Sequence, residues 1–198
     1  MSLGVTVPFS CTCGKLGGTL HQIAPDRGNH LKCYCKDCQT AANALGYQET
    51  LDEWGGTSIF QTIPKYVELD HGQRHLACLR LSPKGMLRWY ASCCNAPLFT
   101  MLPYSRIALA GFNMARIAPE DRAAFGPLAG VFSAKGARNA PADLKDWGIP
   151  KAFGLVLWRA IKAQLRSDSG APFFDVKGMP VVTLRVLTLE ERTAARPD

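Results

Sequence analysis

The chain has 198 residues, 47% of them hydrophobic and 20% charged, which is the composition of a folded globular protein and excludes a disordered chain. Its net charge of +7 is spread along the sequence without long basic runs, which argues against a nucleic-acid-binding protein. No apolar stretch approaches the roughly 20 residues of a membrane-spanning helix, and no signal-peptide pattern is seen, so we expect a soluble, cytoplasmic protein.

The first half of the chain is predicted to be mainly β-structure. Alternating and β-branched patterns bounded by turn residues predict strands at 14–20, 59–67, 76–81, 86–91 and 98–102. A short helix is predicted at 39–45, ended by Gly46, and a second one near 51–54. These elements indicate a compact, β-rich domain over residues 1–102.

Residues 103–198 are predicted to form a C-terminal α/β extension that packs on this domain. Pro150 is well placed to begin a long helix at about 150–166, whose apolar stripe is interpreted as a core-packing face. A strand is predicted at 181–187, and Thr188 with Glu191 could cap a last helical turn. The expected fold class is therefore mainly β with some α.

Cysteines are the most informative feature of the sequence. There are eight, in clusters separated by long intervals: Cys11, Cys13, Cys33, Cys35, Cys38, Cys78, Cys93 and Cys94. A chain expected to be cytoplasmic does not use such clusters for disulfides, and C-x-C and C-x-x-C spacings can bring thiolates to one zinc ion. We therefore predict one or two bound zinc ions, with the isolated Cys78 as a core thiol rather than a ligand.

Spacing alone leaves three divisions of the ligands open. In one, Cys11, Cys13 and Cys94 share a zinc that Cys93 completes through a turn at Asn95-Ala96-Pro97. In a second, Cys93 joins Cys33, Cys35 and Cys38 on another metal. In the third, that middle trio keeps an open fourth position, which is the arrangement of a catalytic zinc, whereas four protein ligands describe a structural one.

Three segments together resemble the glutathione-dependent formaldehyde-activating enzymes (the GFA family). They are Phe9-Ser-Cys11-Thr-Cys13-Gly, Cys33-Tyr-Cys35-Lys-Asp-Cys38, and Leu87-Arg-Trp-Tyr90 leading to Cys94-Asn-Ala-Pro-Leu98. The resemblance covers about residues 8–102 and implies stacked, twisted antiparallel sheets held by zinc. It implies a structural zinc site at Cys11, Cys13 and Cys94, and a second zinc at Cys33, Cys35 and Cys38, near which glutathione meets formaldehyde.

The sequence departs from the GFA pattern at the last cluster. The family usually has C-x-x-C-G there, which would place cysteines at 91 and 94, but position 91 is Ala, the extra cysteine is Cys93, and Asn95 replaces the glycine. These differences, with the additional C-terminal region, indicate a separate branch of the superfamily.

Two functions are therefore expected from the sequence. The first is a zinc-dependent carbon–sulfur lyase for glutathione or another small thiol and a small aldehyde, with Lys36 and Arg88 as candidate contacts to an anionic thiol. The second is a non-catalytic zinc scaffold that binds a protein partner or forms a homo-oligomer. The isolated histidines (His21, His30, His71 and His75) are interpreted as surface or hydrogen-bonded side chains rather than ligands.

Overall fold

The computed structural model describes residues 3–104, 109–146, 154 and 173–197. Within these residues the fold is mainly β, with two α-helices and several 3₁₀ turns, which confirms the fold class expected from the sequence. None of the helices in this part of the chain combines the length and apolarity needed to cross a lipid bilayer.

A small antiparallel sheet contains three strands in the order β1-β2-β5. The strands are β1 (Val5–Ser10), β2 (Gly17–Ile23) and β5 (Val67–His71). Gly18 lets β2 lie close to its neighbours, because a Cβ at this residue would be 2.0 Å from the Glu68 carbonyl oxygen.

The larger sheet has eight strands among the described residues, in the order β10-β3-β4-β9-β8-β7-β6-β11. The strands are β3 (Asn29–Cys33), β4 (Thr57–Thr62), β6 (Leu76–Arg80), β7 (Leu87–Ala91), β8 (Ala96–Met101), β9 (Ala110–Asn113), β10 (Gly130–Phe132) and β11 (Leu184–Val186). In the part of the chain that the structure describes, only the two edge strands, β10 and β11, run parallel to their neighbours.

Both α-helices begin and end with identifiable caps or turns. Helix α1 (Lys36–Leu45) ends at Gly46, whose φ of 74° is a left-handed conformation that glycine adopts without a Cβ penalty. Helix α2 (Leu189–Ala195) begins at Thr188 with a capping box that Glu191 completes, as the sequence predicted. The 3₁₀ turns are Gln48–Thr50, Pro64–Tyr66, Gln73–His75, Met114–Arg116, Pro119–Phe125 and Ala134–Gly136.

Aromatic side chains join the two sheets. Phe9 of the small sheet packs edge-on against Phe99 and Phe112 of the large sheet, with ring centroids 5.6 and 5.1 Å apart. Phe173 continues this cluster against Trp89 and Phe99. The core therefore includes the layer between the two sheets.

Strands β2, β6, β7 and β8 overlap the strands predicted at 14–20, 76–81, 86–91 and 98–102. Strands β1 and β3 were not predicted, and several other elements differ from the prediction. The strand predicted at 59–67 is two strands, β4 and β5, in different sheets, because Pro64 begins a 3₁₀ turn between them. Residues 51–54 form bends and turns, and the short helix lies just before them at Gln48–Thr50. The long helix predicted at about 150–166 lies outside the described residues except for position 154.

The large sheet contains strands from both sides of residue 102. Strand β9 lies in its interior between β4 and β8, while β10 and β11 extend its two edges. The division into a 1–102 domain and a 103–198 extension stays a prediction. The described part of the C-terminal half contributes directly to the sheet that carries the cysteines.

Candidate metal centres

The first candidate centre is a group of four cysteines where two turns meet. Cys11 and Cys13 follow strand β1, and Cys93 and Cys94 lie in the turn from β7 to β8. Their four sulfurs lie within 4.8 Å of one another. We call this group the quartet.

Sulfur–sulfur distances in the quartet fit a tetrahedral zinc site. The Sγ atoms of Cys11, Cys13 and Cys93 are 3.4 to 3.8 Å apart, and all are free thiols. Four zinc–sulfur bonds of about 2.3 Å in a tetrahedron require sulfur separations of about 3.8 Å. A disulfide would need about 2.05 Å, so the observed spacing matches metal ligation without rearrangement.

Two unusual backbone conformations present these thiols. Gly14 has a φ of 73° in the first turn, and Asn95 has a φ of 59° in the second. Asparagine tolerates this left-handed conformation, which is how the turn supplies the bend that adjacent Cys93 and Cys94 need to face one site. The Leu16 N–H donates to the Cys11 sulfur at 3.4 Å, so the backbone also supports a thiolate there.

Proton affinity is uneven within the quartet. Burial raises the pKa of Cys93 to about 12, assisted by contacts with the Cys13 and Cys11 thiols. Burial also raises the pKa of Cys94, but backbone N–H groups of Cys13 and Ala96 donate to its sulfur and bring the net value to about 6. A bound metal would replace the remaining protons, since zinc ligands are thiolates.

Tyr47 and Arg116 support the quartet from outside. The Tyr47 hydroxyl is 2.9 Å from both the Thr12 hydroxyl and the Cys94 carbonyl oxygen. The Arg116 guanidinium lies 5.3 Å from the centre of the Tyr47 ring and contacts Thr12. Four thiolates around a divalent cation would carry two net negative charges, which the Arg116 guanidinium would partly compensate.

The second candidate centre is the group Cys33, Cys35 and Cys38, which we call the trio. Cys33 ends strand β3, Cys35 is the N-cap of helix α1, and Cys38 lies in the first turn of that helix. Their sulfurs also lie within 4.8 Å of one another. Among the described residues no fourth His, Cys, Asp or Glu joins them.

Local electrostatics favour negative charge at the trio. The Cys38 N–H donates to the Cys35 sulfur at 3.4 Å, and the helix N-terminus directs its positive dipole end at the group. Hydrogen bonds from the Cys33 and Cys35 thiols hold the pKa of Cys38 below its ordinary value despite burial, and the charge of Arg88 lowers it further. Hydrogen bonds with the Cys35 and Cys38 thiols, together with burial, raise the pKa of Cys33. The hydrogen bond with Cys33 lowers the pKa of Cys35, but the bond with Cys38 and burial raise it more, to a net value of about 12.

A distant part of the chain braces the trio loop. The Gln39 side chain donates to the carbonyl oxygens of Tyr34 at 2.8 Å and Gly136 at 2.9 Å. The Tyr34 N–H donates to the Phe132 carbonyl at the end of strand β10. The trio is therefore positioned by residues from both halves of the chain.

A small cavity of about 40 Å³ lies between helix α1 and the large sheet, next to the trio. Cys38, Ala41, Ala42 and Leu45 line it from one face of the helix. Arg88, Thr57, Gly111 and other residues line it from the sheet. The Arg88 Nη1 atom is 4.0 Å from the Cys38 sulfur.

Other residues singled out in the sequence lie elsewhere. Cys78 is 1% exposed in the hydrophobic core and belongs to neither group, which confirms its prediction as a core thiol. The four histidines join no candidate metal group in the described part of the chain. His30, for example, bonds the Gly126 carbonyl and the Ser58 hydroxyl. Lys36 begins helix α1.

Sequence reasoning missed Gln39, Tyr47 and Arg116. Their contacts with the centres join residues far apart in the chain, and no local motif indicates them. For Gln39, its place directly after the trio was a usable signal, because a buried amide on a helix must find hydrogen-bond partners.

Comparison with protein families identifies a match over nearly the whole chain. A family described as a family of unknown function, DUF6151, matches residues 3–184. The chain belongs to the DUF6151 family. Both cysteine groups of this DUF6151 protein lie inside the matched range.

Comparison with solved structures finds a crystal structure of a Rhodobacter sphaeroides protein from a structural-genomics programme. It is 13% identical to this DUF6151 chain, covers 61% of this chain and 96% of its own, and superimposes with a TM-score of 0.41. No curated protein matches the DUF6151 chain.

Proposed function

We propose that this protein binds two zinc ions, one structural in the quartet and one exchangeable in the trio, where it acts on a small thiol. The difference in ligand number between the two groups carries the proposal. Four thiolates close a zinc site, whereas three leave one position for an exogenous ligand.

The quartet suits a structural role. It joins the turn after β1 in the small sheet to the β7–β8 turn in the large sheet, so a metal there would hold the two sheets together. Such a site contributes to folding because the ligands are brought together only in the folded chain.

The trio suits thiol chemistry. When bound, zinc lowers the pKa of an incoming thiol and holds it as a thiolate, a stronger nucleophile at neutral pH. The chain's own contribution is the placement of Cys38 at a cavity, the positive helix end at the trio, and the guanidinium of Arg88 beside it.

We assign this site to reversible carbon–sulfur bond formation between a thiol and a small aldehyde. The sulfur lone pair forms a bond to the carbonyl carbon, the carbonyl π pair moves to oxygen, and that oxygen takes up the thiol's proton. The reaction needs no oxidant or reductant. The resemblance of the cysteine pattern to the GFA family supports this assignment, with glutathione and formaldehyde as the first pair to assay.

Zinc content is the first test. We expect about two zinc ions per purified chain, falling to about one in Cys38→Ser and in Cys94→Ser, each variant retaining the other site. Nuclear magnetic resonance would then follow the conversion of glutathione and ¹³C-formaldehyde into the S-hydroxymethyl adduct. We expect this exchange to be faster with the wild type than with Cys38→Ser. A chain with one zinc that Cys38→Ser does not remove would reject the exchangeable site.

A non-catalytic zinc scaffold is the second candidate. The small size of the cavity favours it, because about 40 Å³ leaves no room for a whole glutathione molecule beside the trio. Two tightly held zinc ions with no acceleration of thiol–aldehyde exchange would support the scaffold.

A further inference from the structure

Arg88 is a buried positive charge with few partners. It lies on strand β7, is 6% exposed, and joins no carboxylate in the ion pairs of the described residues. Its Nε atom has no hydrogen-bond partner in the same part of the chain. A guanidinium stays charged under physiological conditions, and burying a charge is costly unless it is paired.

The neighbouring Cys38 thiol is only a partial partner for the guanidinium of Arg88. The Arg88 Nη1 atom lies 4.0 Å from the Cys38 sulfur, which is a long contact even for sulfur. A guanidinium has five N–H donors in a fixed fork, so one distant sulfur leaves donors available. Three thiolates around a divalent cation carry one net negative charge, which Arg88 would balance without using all of these donors.

A second unpartnered polar atom belongs to the same cavity. Thr57 also lines it, is 8% exposed, and has a buried hydroxyl without a hydrogen-bond partner in the described ranges. Arg88 is the one charged residue among the described residues that line the cavity. Buried polar groups without partners are uncommon, and two at one cavity indicate a ligand that supplies acceptors.

The size of the cavity limits that ligand. A cavity of about 40 Å³ accommodates roughly three water molecules, or a compound of about five non-hydrogen atoms. Gly111 on strand β9 contributes to this space because it has no side chain. A Cβ there would be 3.6 Å from its nearest neighbour, so alanine would fit and would only narrow the cavity.

We propose that this cavity binds a small mercaptocarboxylate, with its carboxylate on the guanidinium of Arg88 and its sulfur directed to the trio. The inference rests on the proposed zinc in the trio and adds the class of thiol that the site selects. Arginine matches a carboxylate with two parallel hydrogen bonds, and the hydroxyl of Thr57 offers a further donor. The 4.0 Å from Arg88 to Cys38 places the two recognition points within the span of one such molecule.

The test compares two thiols of similar size that differ in charge. Calorimetry would measure the affinity of zinc-loaded protein for mercaptoacetate and for neutral 2-mercaptoethanol. We expect mercaptoacetate to bind about tenfold more tightly or better, as for a charge-assisted pair in a buried site. In Arg88→Gln this preference should disappear while zinc content stays at the wild-type value. Arg74→Gln, the same change at an exposed arginine, is the matched control and should keep the preference.

Gly111→Ala provides a variant that alters neither the cysteines nor Arg88. It should weaken binding of both thiols at unchanged zinc content. If Arg88→Gln does not retain zinc, Gly111→Ala still tests whether the thiols bind in this cavity. Equal affinities of the wild type for the two thiols, or a preference that survives in Arg88→Gln, would overturn the inference. Failure of the proposed function would be distinguishable from these outcomes, because the wild-type chain would then hold no zinc in the trio.

Discussion

Gln39 in helix α1 donates a hydrogen bond to the carbonyl oxygen of Gly136 at 2.9 Å, across a sequence separation of 97 residues. The same amide nitrogen bonds the Tyr34 carbonyl between two cysteines of the trio. Strand β10 adds a backbone bond to the same loop through Phe132. The trio therefore depends on a segment that lies outside the cysteine-containing half of the chain.

Replacing Gln39 tests this dependence. Gln39→Leu keeps approximate size but leaves the buried Tyr34 carbonyl and the partly buried Gly136 carbonyl without their donor. We therefore expect the free energy of unfolding to fall by about 1–3 kcal/mol. Zinc affinity of the trio should also fall, measured by competition with a chelator, while one zinc per chain stays bound in the quartet. Gln73→Leu is the control, because the Gln73 side chain is exposed and bonds only a nearby backbone carbonyl. Equal effects of the two changes would contradict the bracing role.

Two of the three buried cysteines among the described residues, Cys33 and Cys78, show why cysteine count alone is a poor guide to ligation. Both are nearly inaccessible, at 4% and 1% exposed, yet only Cys33 has other cysteine sulfurs nearby. We expect Cys33→Ala to lose one zinc per chain. Cys78→Ala should keep the wild-type zinc content and lower the free energy of unfolding by about 1 kcal/mol, from the small cavity left in the core. Elemental analysis with denaturant unfolding measures both, and zinc loss in Cys78→Ala would contradict the assignment.

Local spacing was sufficient to predict the trio but not the quartet. Cys33, Cys35 and Cys38 are close in sequence, so a strand end and a helix start bring them together. The quartet requires the turn after β1 to meet the β7–β8 turn, and the sequence left three divisions open because no local pattern specifies which strand ends adjoin. Asn95 was the usable signal, since its left-handed conformation provides the bend.

Long-range pairing also explains what the sequence did not predict about the fold. Strand β9 has only four residues, Ala110–Asn113, which is too short for a recognisable alternation. It is a strand because it pairs on both sides, with β4 and β8. Strand β10 has three residues and adds to a sheet edge, so tertiary context determines it more than its own composition. Strand β11 lies inside the strand predicted at 181–187, of which Leu184–Val186 pair with β6.

The carboxyl group of Asp52, which accepts a hydrogen bond from the Tyr34 hydroxyl of the trio loop, should make the free energy of unfolding depend on pH. Burial raises the pKa of its carboxyl, but the Gly56 N–H and the Lys32 ammonium lower it more, so the net value lies below the ordinary 3.8. The ionised form therefore favours folding. The stability that ionised Asp52 contributes is fully present above the pKa of Asp52 in the unfolded chain. It is lost as the pH falls through the lower pKa of Asp52 in the folded chain.

As the pH is lowered from 5, we expect the free energy of unfolding to fall more in the wild type than in Asp52→Asn. Denaturant unfolding at each pH measures this difference. Acid protonates the cysteines in both proteins, so the difference between them is the informative quantity. Asp143→Asn, at an exposed aspartate, should follow the wild type. Parallel pH curves for the wild type and Asp52→Asn would show that Asp52 contributes nothing to the acid sensitivity.

Helix α2 gives a prediction that separates stability from metal binding. The Thr188 hydroxyl accepts from the Glu191 N–H at 3.1 Å, and the Glu191 carboxylate accepts from the Thr188 N–H at 2.9 Å. Thr188→Ala removes the first bond and should lower the free energy of unfolding by about 1 kcal/mol. Thr193→Ala, the same change inside the helix, should be neutral or slightly stabilising, because alanine is the better helix former.

Zinc content should be unchanged in both threonine variants, even though α2 lies against α1. The contact between these helices runs through the Asn43 amide and the Ala195 carbonyl, 2.8 Å apart, at the end of α1 away from Cys35 and Cys38. A capping defect at Thr188 therefore has no direct route to the trio. Loss of zinc in Thr188→Ala but not in Thr193→Ala would instead show that α2 holds α1, and through it the trio, in place.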